Sequence, residues 1–122
     1  MIKAIKIDPV AKTVEEVQIH KSDNGSVLKA LYAAIGCDLV TVVHIDTKND
    51  LWLDDEGLLK SERSFFTFMG QPFCGVGIVL GNLETEDGVD ADHTNLTVGG
   101  VNAKVTFPTE ADLMALSQRS AQ

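Results

Sequence analysis

Apolar and polar residues alternate near the start of the chain in the manner of a β-strand. Ile5 and Ile7 flank Lys6 in a run that begins at Ile2 and ends at Asp8-Pro9, and successive residues of a strand face opposite sides of a sheet. The alternation resumes over 13–19. Because the connection between the two runs is short, they predict an antiparallel hairpin.

The spacing of apolar residues then changes to that of a helix. Between Val27 and Ile35 they recur every three or four positions, which is typical of a helix with one buried face. Candidate capping residues precede this stretch at 22–26, and Gly36 stands where a helix can end in the left-handed conformation. The segment predicts the main helix of the chain.

Two further strands are predicted around a polar turn. Leu39–Ile45 is rich in β-branched residues and too short for a buried helix, so it predicts a strand. Asp46–Asp50 has the composition of a turn, and Leu51–Leu53 predicts the returning strand. The pattern of Phe65–Met69 fits a strand or a turn of helix equally well, and Gly70–Pro72 is expected to end it.

The second half of the chain predicts a strand, a loop, a hairpin and a helix. Phe73–Leu80 has the composition of a buried strand, and the acidic segment Asn82–Asp92 predicts a solvated loop. Gly99-Gly100 between two alternating runs predicts a hairpin, since a two-residue loop favours positive φ. Thr109–Asp112 resembles a capping box, so a short C-terminal helix is expected after it.

Together these elements predict an α+β fold in a single domain covering residues 1–122. One main helix would pack on a mostly antiparallel sheet, and a short helix would close the chain. The length of 122 residues is that of one ordinary domain.

The charge balance limits the class of partner. The chain has 18 acidic and 10 basic side chains and a formal net charge of -8, whereas non-specific binding to nucleic acid needs a basic surface. Direct binding to nucleic acid is therefore not expected, while a basic protein partner stays open. The N-terminus has no signal-peptide pattern and no apolar run is long enough for a membrane span, which predicts a cytoplasmic protein without membrane contact.

No group of side chains has the spacing of a catalytic or metal site. Asp54, Asp55 and Glu56 are consecutive, but alternate residues of a strand face opposite ways, so the three carboxylates are not expected to converge. Cys37 and Cys74 lie in apolar surroundings and predict small buried thiols rather than a disulfide or a zinc site. We expect a protein without catalytic residues, metal or cofactor.

Four segments of the chain resemble a known family. They are MIKAIKIDP at 1–9, LYAAIGC at 31–37, LWLDDEGLL at 51–59 and GVGIVLG at 75–81. Together they resemble a small domain-of-unknown-function family whose members occur in phages, plasmids and their bacterial hosts, often near anti-restriction genes. The segment SFFTF at 64–68 replaces a proline-rich stretch that is usual there. The resemblance implies a phage or mobile-element accessory protein, with counter-defence as the leading role.

In size and build the chain is also similar, more distantly, to the Thoeris anti-defence proteins. These sequester cyclic ADP-ribose signals between subunits without cleaving them. The similarity implies a sponge for a small signalling nucleotide, and we expect such a site to use aromatic stacking and a few polar groups. A homo-oligomer is also expected, because the chain is rich in strands and small domains often share sheet edges. The candidate ligand-binding residues are Trp52, Arg63, Asn82, Asn95 and Arg119.

Two other functions stay open at this point. An acidic inhibitor of a host defence enzyme or nucleic-acid enzyme would use the negatively charged surface to bind that protein. A hydrolase would have to build its site from Asp54–Glu56 or from a histidine such as His44.

Overall fold

β-Strands form most of the regular structure. The computed structural model describes residues 1–59, 63–86 and 88–120, with side chains described as far as residue 115. The strands are β1 (Ile2–Asp8), β2 (Thr13–Ile19), β3 (Val40–His44), β4 (Asn49–Asp54), β5 (Phe65–Phe68), β6 (Gln71–Cys74), β7 (Gly77–Thr85), β8 (Gly88–Asp92) and β9 (Val105–Thr106). The helices are α1 (Leu28–Ile35), α2 (Val98–Asn102) and α3 (Glu110–Ser120), with a 3₁₀ turn at Gly57–Leu59.

β7 is the central strand of the larger sheet. The order is β2-β1-β7-β4-β3, and all of these neighbours are antiparallel. Val79 of β7 is the register partner of Ile5 in β1 on one side and of Leu51 in β4 on the other. The end of β7 pairs with β8. The β1–β2 and β3–β4 hairpins predicted from the sequence are confirmed, and β7 joins them.

A smaller sheet lies against one face of the larger sheet. Its strand order is β6-β5-β9. Phe66 and Phe68 of β5 pack with Leu51 and Val79 of the larger sheet, and Val101 of α2 belongs to the same cluster. One core of the protein is therefore built between two sheets.

The segment Phe65–Met69, which fitted either strand or helix in the sequence, forms strand β5. A tight turn joins it to β6: Met69 and Gly70 have φ angles of 54° and 82°, the pair of left-handed conformations found in type I′ turns. The expected break at Gly70–Pro72 is thus a hairpin turn, and the returning strand starts at Gln71.

The opposite face of the larger sheet holds a second core. Leu31 and Ile35 of α1 pack there with Ile78 and Leu80 of β7. Gly36 follows α1 with a φ of 80°, and its N–H donates to the carbonyl oxygen four residues earlier. The predicted end of this helix is confirmed, because glycine adopts the left-handed conformation without a Cβ clash.

The predicted balance between helix and sheet is wrong. The sequence predicts one main helix packed on the sheet, whereas 44% of the described residues are strand and 20% are helix. The helices of the described residues are three small ones, and none of them is a main helix. α1 has 8 residues and buries only Leu31 and Ile35. On the other face the second layer is a sheet, because β5, β6 and β9 pair with one another and supply its apolar side chains.

Two predicted segments after residue 70 differ from the structure. Phe73–Leu80 divides between the two sheets, because Gly75, with a φ of 87°, lies between β6 and β7 and lets the chain turn. The acidic segment Asn82–Asp92 is a hairpin of β7 and β8 rather than a loop. Its acidic side chains are accommodated because most of this hairpin is exposed on both faces.

Gly99-Gly100 lies in α2 and not in a hairpin turn. Thr97 caps this helix by accepting a hydrogen bond from Gly100 N at 3.0 Å. Val101 is 2% exposed, so the burial of its side chain favours the helix over the low helix propensity of the glycines. The predicted hairpin is wrong for that reason.

The predicted C-terminal helix is confirmed as α3. Thr109 N donates to Asp112 Oδ2 at 3.0 Å, and Asp112 N donates to Thr109 Oγ1 at 3.1 Å, which is a reciprocal capping box. Hydrogen bonding by Thr109, first from its backbone N–H and then from its side chain, lowers the pKa of the Asp112 carboxyl. None of the helices in the described part of the chain has the length and apolar character needed to cross a membrane.

Candidate functional site

A cleft opens on the α1 face of the larger sheet, beside the N-terminus of α1. Its volume is about 420 Å³, which is within the range of small-molecule sites. Its apolar lining residues are Val27, Leu28, Val42, Val89 and Ala91, and the others include Ser26, His44, Asp50, Trp52, Asn82 and Asp90. We refer to this site as the Trp52 cleft.

Trp52 is fixed in β4 between two register partners. These are Val42 of β3 and Ile78 of β7. The indole packs against the core cluster that contains Ile78, and it is still partly exposed. An indole anchored by the core and accessible from the cleft is a preorganised surface for a flat ligand ring.

An imidazole–carboxylate pair lies in the same cleft. His44 and Asp50 are register partners in the β3–β4 hairpin, and His44 Nδ1 lies 2.6 Å from Asp50 Oδ1. The Asp50 side chain is 9% exposed and that of His44 is 79% exposed. The buried carboxylate therefore orients an exposed ring, whose Nε2 is the nitrogen that a ligand can meet.

Two further polar groups come from the β7–β8 hairpin. Asn82 is the register partner of Ala91 and brings a side-chain amide to the cleft. Asp90 brings a second carboxylate, whose Oδ2 lies 3.8 Å from Lys21 Nζ. The cleft thus offers hydrogen-bond donors and acceptors around an apolar lining.

All residues that form the Trp52 cleft fall between positions 25 and 91. A family model described as a domain of unknown function, DUF3846, matches residues 2–97. The chain belongs to the DUF3846 family. No curated protein and no solved structure matches it. The cleft therefore lies wholly within the DUF3846 domain, whereas α2 and α3 lie beyond the matched range.

The structure places two of the five candidate ligand-binding residues, Trp52 and Asn82, in this cleft. A second cavity, of about 530 Å³, brings Asn82 together with Asn95. The side chain of Asn82 is therefore the one shared by both cavities.

Asn95 belongs to a polar network behind the β3–β4 turn. Its Oδ1 accepts a hydrogen bond from Asn49 Nδ2 at 2.8 Å. Asn49, which is 1% exposed, also donates to Asp46 and accepts from Thr94 Oγ1 at 2.6 Å. The side-chain oxygen of Asn95 is therefore engaged in a hydrogen bond that holds parts of the DUF3846 domain together.

Arg63 does not line the Trp52 cleft. Arg63 Nη2 donates to Glu110 Oε1 at 2.6 Å, and Nη1 donates to the Leu58 carbonyl oxygen at 3.3 Å. Arg63 therefore links the 3₁₀ turn to the start of α3. Arg119 falls in α3, and its side chain lies outside the described residues.

The consecutive carboxylates after β4 form a turn. Asp54 Oδ1 accepts a hydrogen bond from Glu56 N at 2.9 Å, and this contact leads the chain into the 3₁₀ turn. Asp54 and Glu56 line a cavity of about 460 Å³ that Asp55 does not line. Among the described residues no group of three His, Cys, Asp or Glu side chains is arranged to hold a metal ion.

The two cysteines, both in the described part of the chain, form no disulfide and are only partly buried. Cys74 Sγ donates to the Gly57 carbonyl oxygen at 3.5 Å. Burial raises the pKa of the Cys74 thiol, and the nearby charge of Arg63 opposes this only in part. The thiol is protonated at neutral pH and is a weak nucleophile.

Asp50 is the cleft residue that sequence reasoning missed. It was assigned to the polar turn, whereas β4 begins at Asn49. The signal that could have found it is the hairpin register: His44 and Asp50 stand at equal distances along the chain from Thr47, about which β3 and β4 pair.

Proposed function

We propose that this DUF3846 protein binds a small signalling nucleotide in the Trp52 cleft and sequesters it without cleaving it. The observation that carries the proposal is that an anchored indole, a side-chain amide and a carboxylate-oriented imidazole line one cleft of about 420 Å³. Nucleobases combine a flat ring with donors and acceptors at its edge, so they suit such a site.

Stacking on Trp52 would supply the main attraction for the base. Base–aromatic stacking contributes about 1–3 kcal/mol per base in single-stranded nucleic-acid sites. The apolar side chains of Val42 and Val89 line the same cleft and would exclude water around the ring. The indole needs no rearrangement, because Ile78 and the core already hold it.

The polar groups would select the ligand. The amide of Asn82 can donate and accept at the edge of a base. His44 Nε2 can meet a ribose hydroxyl or a phosphate oxygen, since Asp50 occupies Nδ1.

The charges of the cleft restrict how a nucleotide can enter. Asp50 and Asp90 both line it, and a phosphate group close to either carboxylate would be repelled. The base would therefore lie inside the cleft, with the phosphate groups at its mouth. Lys21, which pairs with Asp90, supplies positive charge beside the cleft.

A counter-defence role in a phage or mobile element is part of the same proposal. Its support is the resemblance of the four sequence segments described above. The more distant similarity to the Thoeris anti-defence proteins makes cyclic ADP-ribose derivatives the first candidates for the signal.

The first experiment is a thermal-shift screen against cyclic nucleotides and ADP-ribose derivatives. A true ligand at 100 times its dissociation constant should raise Tm by on the order of 10 °C. Mass spectrometry of the released compound should recover it with unchanged mass. The absence of a Tm shift with every compound would contradict the proposal. A changed mass of the released compound would show that the protein converts the nucleotide instead of only binding it.

The site is tested by matched asparagine variants. Asn82→Ala should weaken binding about tenfold through the loss of an edge hydrogen bond. Asn102→Ala, which changes an exposed asparagine of α2 outside the cleft, should leave the affinity unchanged. The quenching of the single tryptophan, Trp52, reports binding directly. Equal affinity of the two variants would place the ligand elsewhere.

A second candidate function is binding to a basic protein. Leu58 and Leu59 are 63% and 81% exposed, and the exposed acids Asp55 and Glu56 precede them. An apolar patch with an acidic border suits an amphipathic basic segment. A helical leucine–lysine peptide should bind in a salt-sensitive manner, and Leu59→Ser should weaken it while the exposed Leu83→Ser does not.

A further inference from the structure

The exposed edges of the two sheets differ in how they are protected. An unpaired strand edge invites pairing with another chain, and proteins block it with charged side chains, proline or very short strands. In the described part of the chain, β2 carries Glu15 and Glu16, β8 carries Asp90 and Asp92, and β6 contains Pro72. The edge strand β9 has only 2 residues.

The edge strand β3 has none of these devices. Its five residues are Val40, Thr41, Val42, Val43 and His44, of which four are β-branched and none is acidic, lysine or proline. Such residues favour extended pairing. The edge is also accessible, since Val42 is 39% exposed and the His44 side chain 79%.

The direction of the backbone groups follows from the pairing with β4. Ile45 N donates to the Asn49 carbonyl oxygen at 3.0 Å, and Asp55 N donates to the Leu39 carbonyl oxygen at 3.0 Å. In an antiparallel pair the hydrogen-bonded positions alternate along the strand. The odd-numbered residues from 39 to 45 therefore face β4, and Val40, Val42 and His44 direct their N–H and C=O groups to the open edge.

We propose that a second copy of this chain pairs with β3 in antiparallel orientation and forms a two-fold dimer with one continuous sheet. The register centred on Val42 pairs all five residues: Val42 with its own copy, and Val40 with His44 in each direction. Each of these pairs exchanges two backbone hydrogen bonds. An antiparallel edge pairs with itself by symmetry, so the interface is isologous.

The negative charge of the chain should make the stability of this dimer depend on the salt concentration. The paired residues carry no acid, but each copy has a formal net charge of -8, and the register brings Asp38 of one copy near Asp46 of the other. Added salt screens this repulsion over about 10 Å at 0.1 M. The dimer should therefore tighten as the salt concentration rises, unlike an interface held by ion pairs.

The same pairing places the two Trp52 clefts side by side. Directly opposed residues of an antiparallel pair lie on one face of the sheet, and Val42 and His44 line the cleft as well as the edge. The second copy would thus extend each cleft. This consequence alone rests on the proposed function, while the dimer does not.

The test is the molar mass of the purified chain by sedimentation equilibrium, at low and high salt. We expect a monomer–dimer equilibrium that shifts toward dimer with salt. Val42→Pro should raise the dissociation constant at least about thirtyfold, because it removes an outward N–H in both copies. Its fold is checked by circular dichroism, since proline is tolerated where the N–H faces outward.

Val43→Pro is the matched control, because that N–H faces β4 and its loss should unfold the chain. A wild-type chain that stays monomeric at every salt concentration overturns the proposal, as does a dimer that Val42→Pro leaves intact. If Val42→Pro fails to fold, amide exchange decides. Concentrating the wild-type chain should protect the amides of Val40, Val42 and His44 and leave those of Thr41 and Val43 unchanged; any other pattern contradicts the β3 interface.

Discussion

Gly81 is the residue at which the fold has least space for a side chain. It pairs with Asn49 of β4 on one side and Asp92 of β8 on the other. A Cβ built at Gly81 would overlap the carbonyl oxygen of His93, and a backbone atom cannot move away as the end of a flexible side chain can. The chain can turn from β8 toward β1 here only because this side chain is absent.

Gly81→Ala should lower the free energy of unfolding by about 2–3 kcal/mol, since the β8 backbone has to shift to accept the methyl group. Gly99→Ala is its control: an added Cβ meets no atom within 4 Å, and alanine favours the α2 helix by about 0.5–1 kcal/mol over glycine. Urea denaturation of both variants measures the contrast. A Gly81→Ala chain as stable as the wild type would contradict the predicted overlap.

Asp112 makes the start of α3 sensitive to acid. Its hydrogen bonds with Thr109 lower the pKa of its carboxyl below the ordinary value of 3.8. A carboxyl whose pKa is lower in the folded state stabilises the fold fully above its unfolded pKa, and this contribution disappears as the pH falls through the folded pKa. Nuclear magnetic resonance should find that the Asp112 carboxyl titrates below 3.8 and that the first turn of α3 loses amide protection in the same range.

Thr109→Ala is the variant that tests this cause. It removes the Thr109 hydroxyl, which accepts from Asp112 N and makes the smaller of the two Thr109 contributions to the low Asp112 pKa. The larger contribution, from the Thr109 backbone N–H, remains, so the Asp112 pKa should rise only in part, while α3 should fray already at neutral pH. An unchanged titration in the variant would show that the Thr109 hydroxyl does not contribute to this pKa.

At the scale of elements, Asn49 connects the β3–β4 hairpin to the segment after β8. Its side chain joins Asp46 to Thr94 and Asn95, while Thr94 N donates to the Lys3 carbonyl oxygen of β1 at 3.1 Å. Three parts of the chain that are far apart in sequence are thus held by one buried amide.

Asn49→Ala should lower the free energy of unfolding by about 3 kcal/mol, because it leaves buried polar groups of Thr94 and its neighbours without their partner. Asn102→Ala, at an exposed position, should change it by less than about 0.5 kcal/mol. Chemical denaturation of the pair gives the comparison, and similar midpoints would mean that water replaces the lost amide.

The elements that could be predicted from the sequence are those specified by local patterns. β1, β2 and α1 have clear periodicity, and Gly36 ends the helix by its own conformational freedom. α2 could not be predicted, because its formation depends on the burial of Val101 against a distant sheet. The second sheet could not be predicted for the same reason. Whether β5, β6 and β9 pair with one another depends on contacts between segments distant in sequence, which local strand propensity does not determine.

The candidate site could be predicted only in its parts. Trp52 and Asn82 stood out by residue type, but their meeting depends on β7 lying next to β4, a pairing of strands distant in sequence. The contact of Asp50 with His44 depends on the hairpin register, and a turn assigned one or two residues too long conceals it. The sequence therefore indicates which residue types can bind a ligand, but not which of them lie close together in the fold.

In the whole molecule, one sheet separates two cores. The cluster around Leu31 lies on one face and the cluster around Phe66 on the other, and β1, β4 and β7 contribute side chains to both. Because the same strands carry both cores, disrupting one core loosens the strands that the other core needs. The two cores are therefore expected to unfold together.

Urea unfolding should therefore give coincident transitions by two probes. Trp52 fluorescence reports the α1 side, where the indole packs, and far-ultraviolet circular dichroism reports all strands. Leu31→Ala and Phe66→Ala should each lower the free energy of unfolding by about 3 kcal/mol or more. Each variant should lower it equally by both probes. Separate transitions for the two probes would show that the faces unfold independently.

The central place of β7 also bears on synthesis at the ribosome. The hairpins of β1–β2 and β3–β4 are complete by residue 54, but the strand that joins them spans Gly77–Thr85. During synthesis the two hairpins can therefore form before β7 is available to join them, and their apolar faces stay uncovered until β7 has been synthesised. We therefore expect that slow translation between residues 54 and 85 prolongs the time for which these apolar faces are uncovered, and that synonymous codons in that interval change the yield of soluble protein.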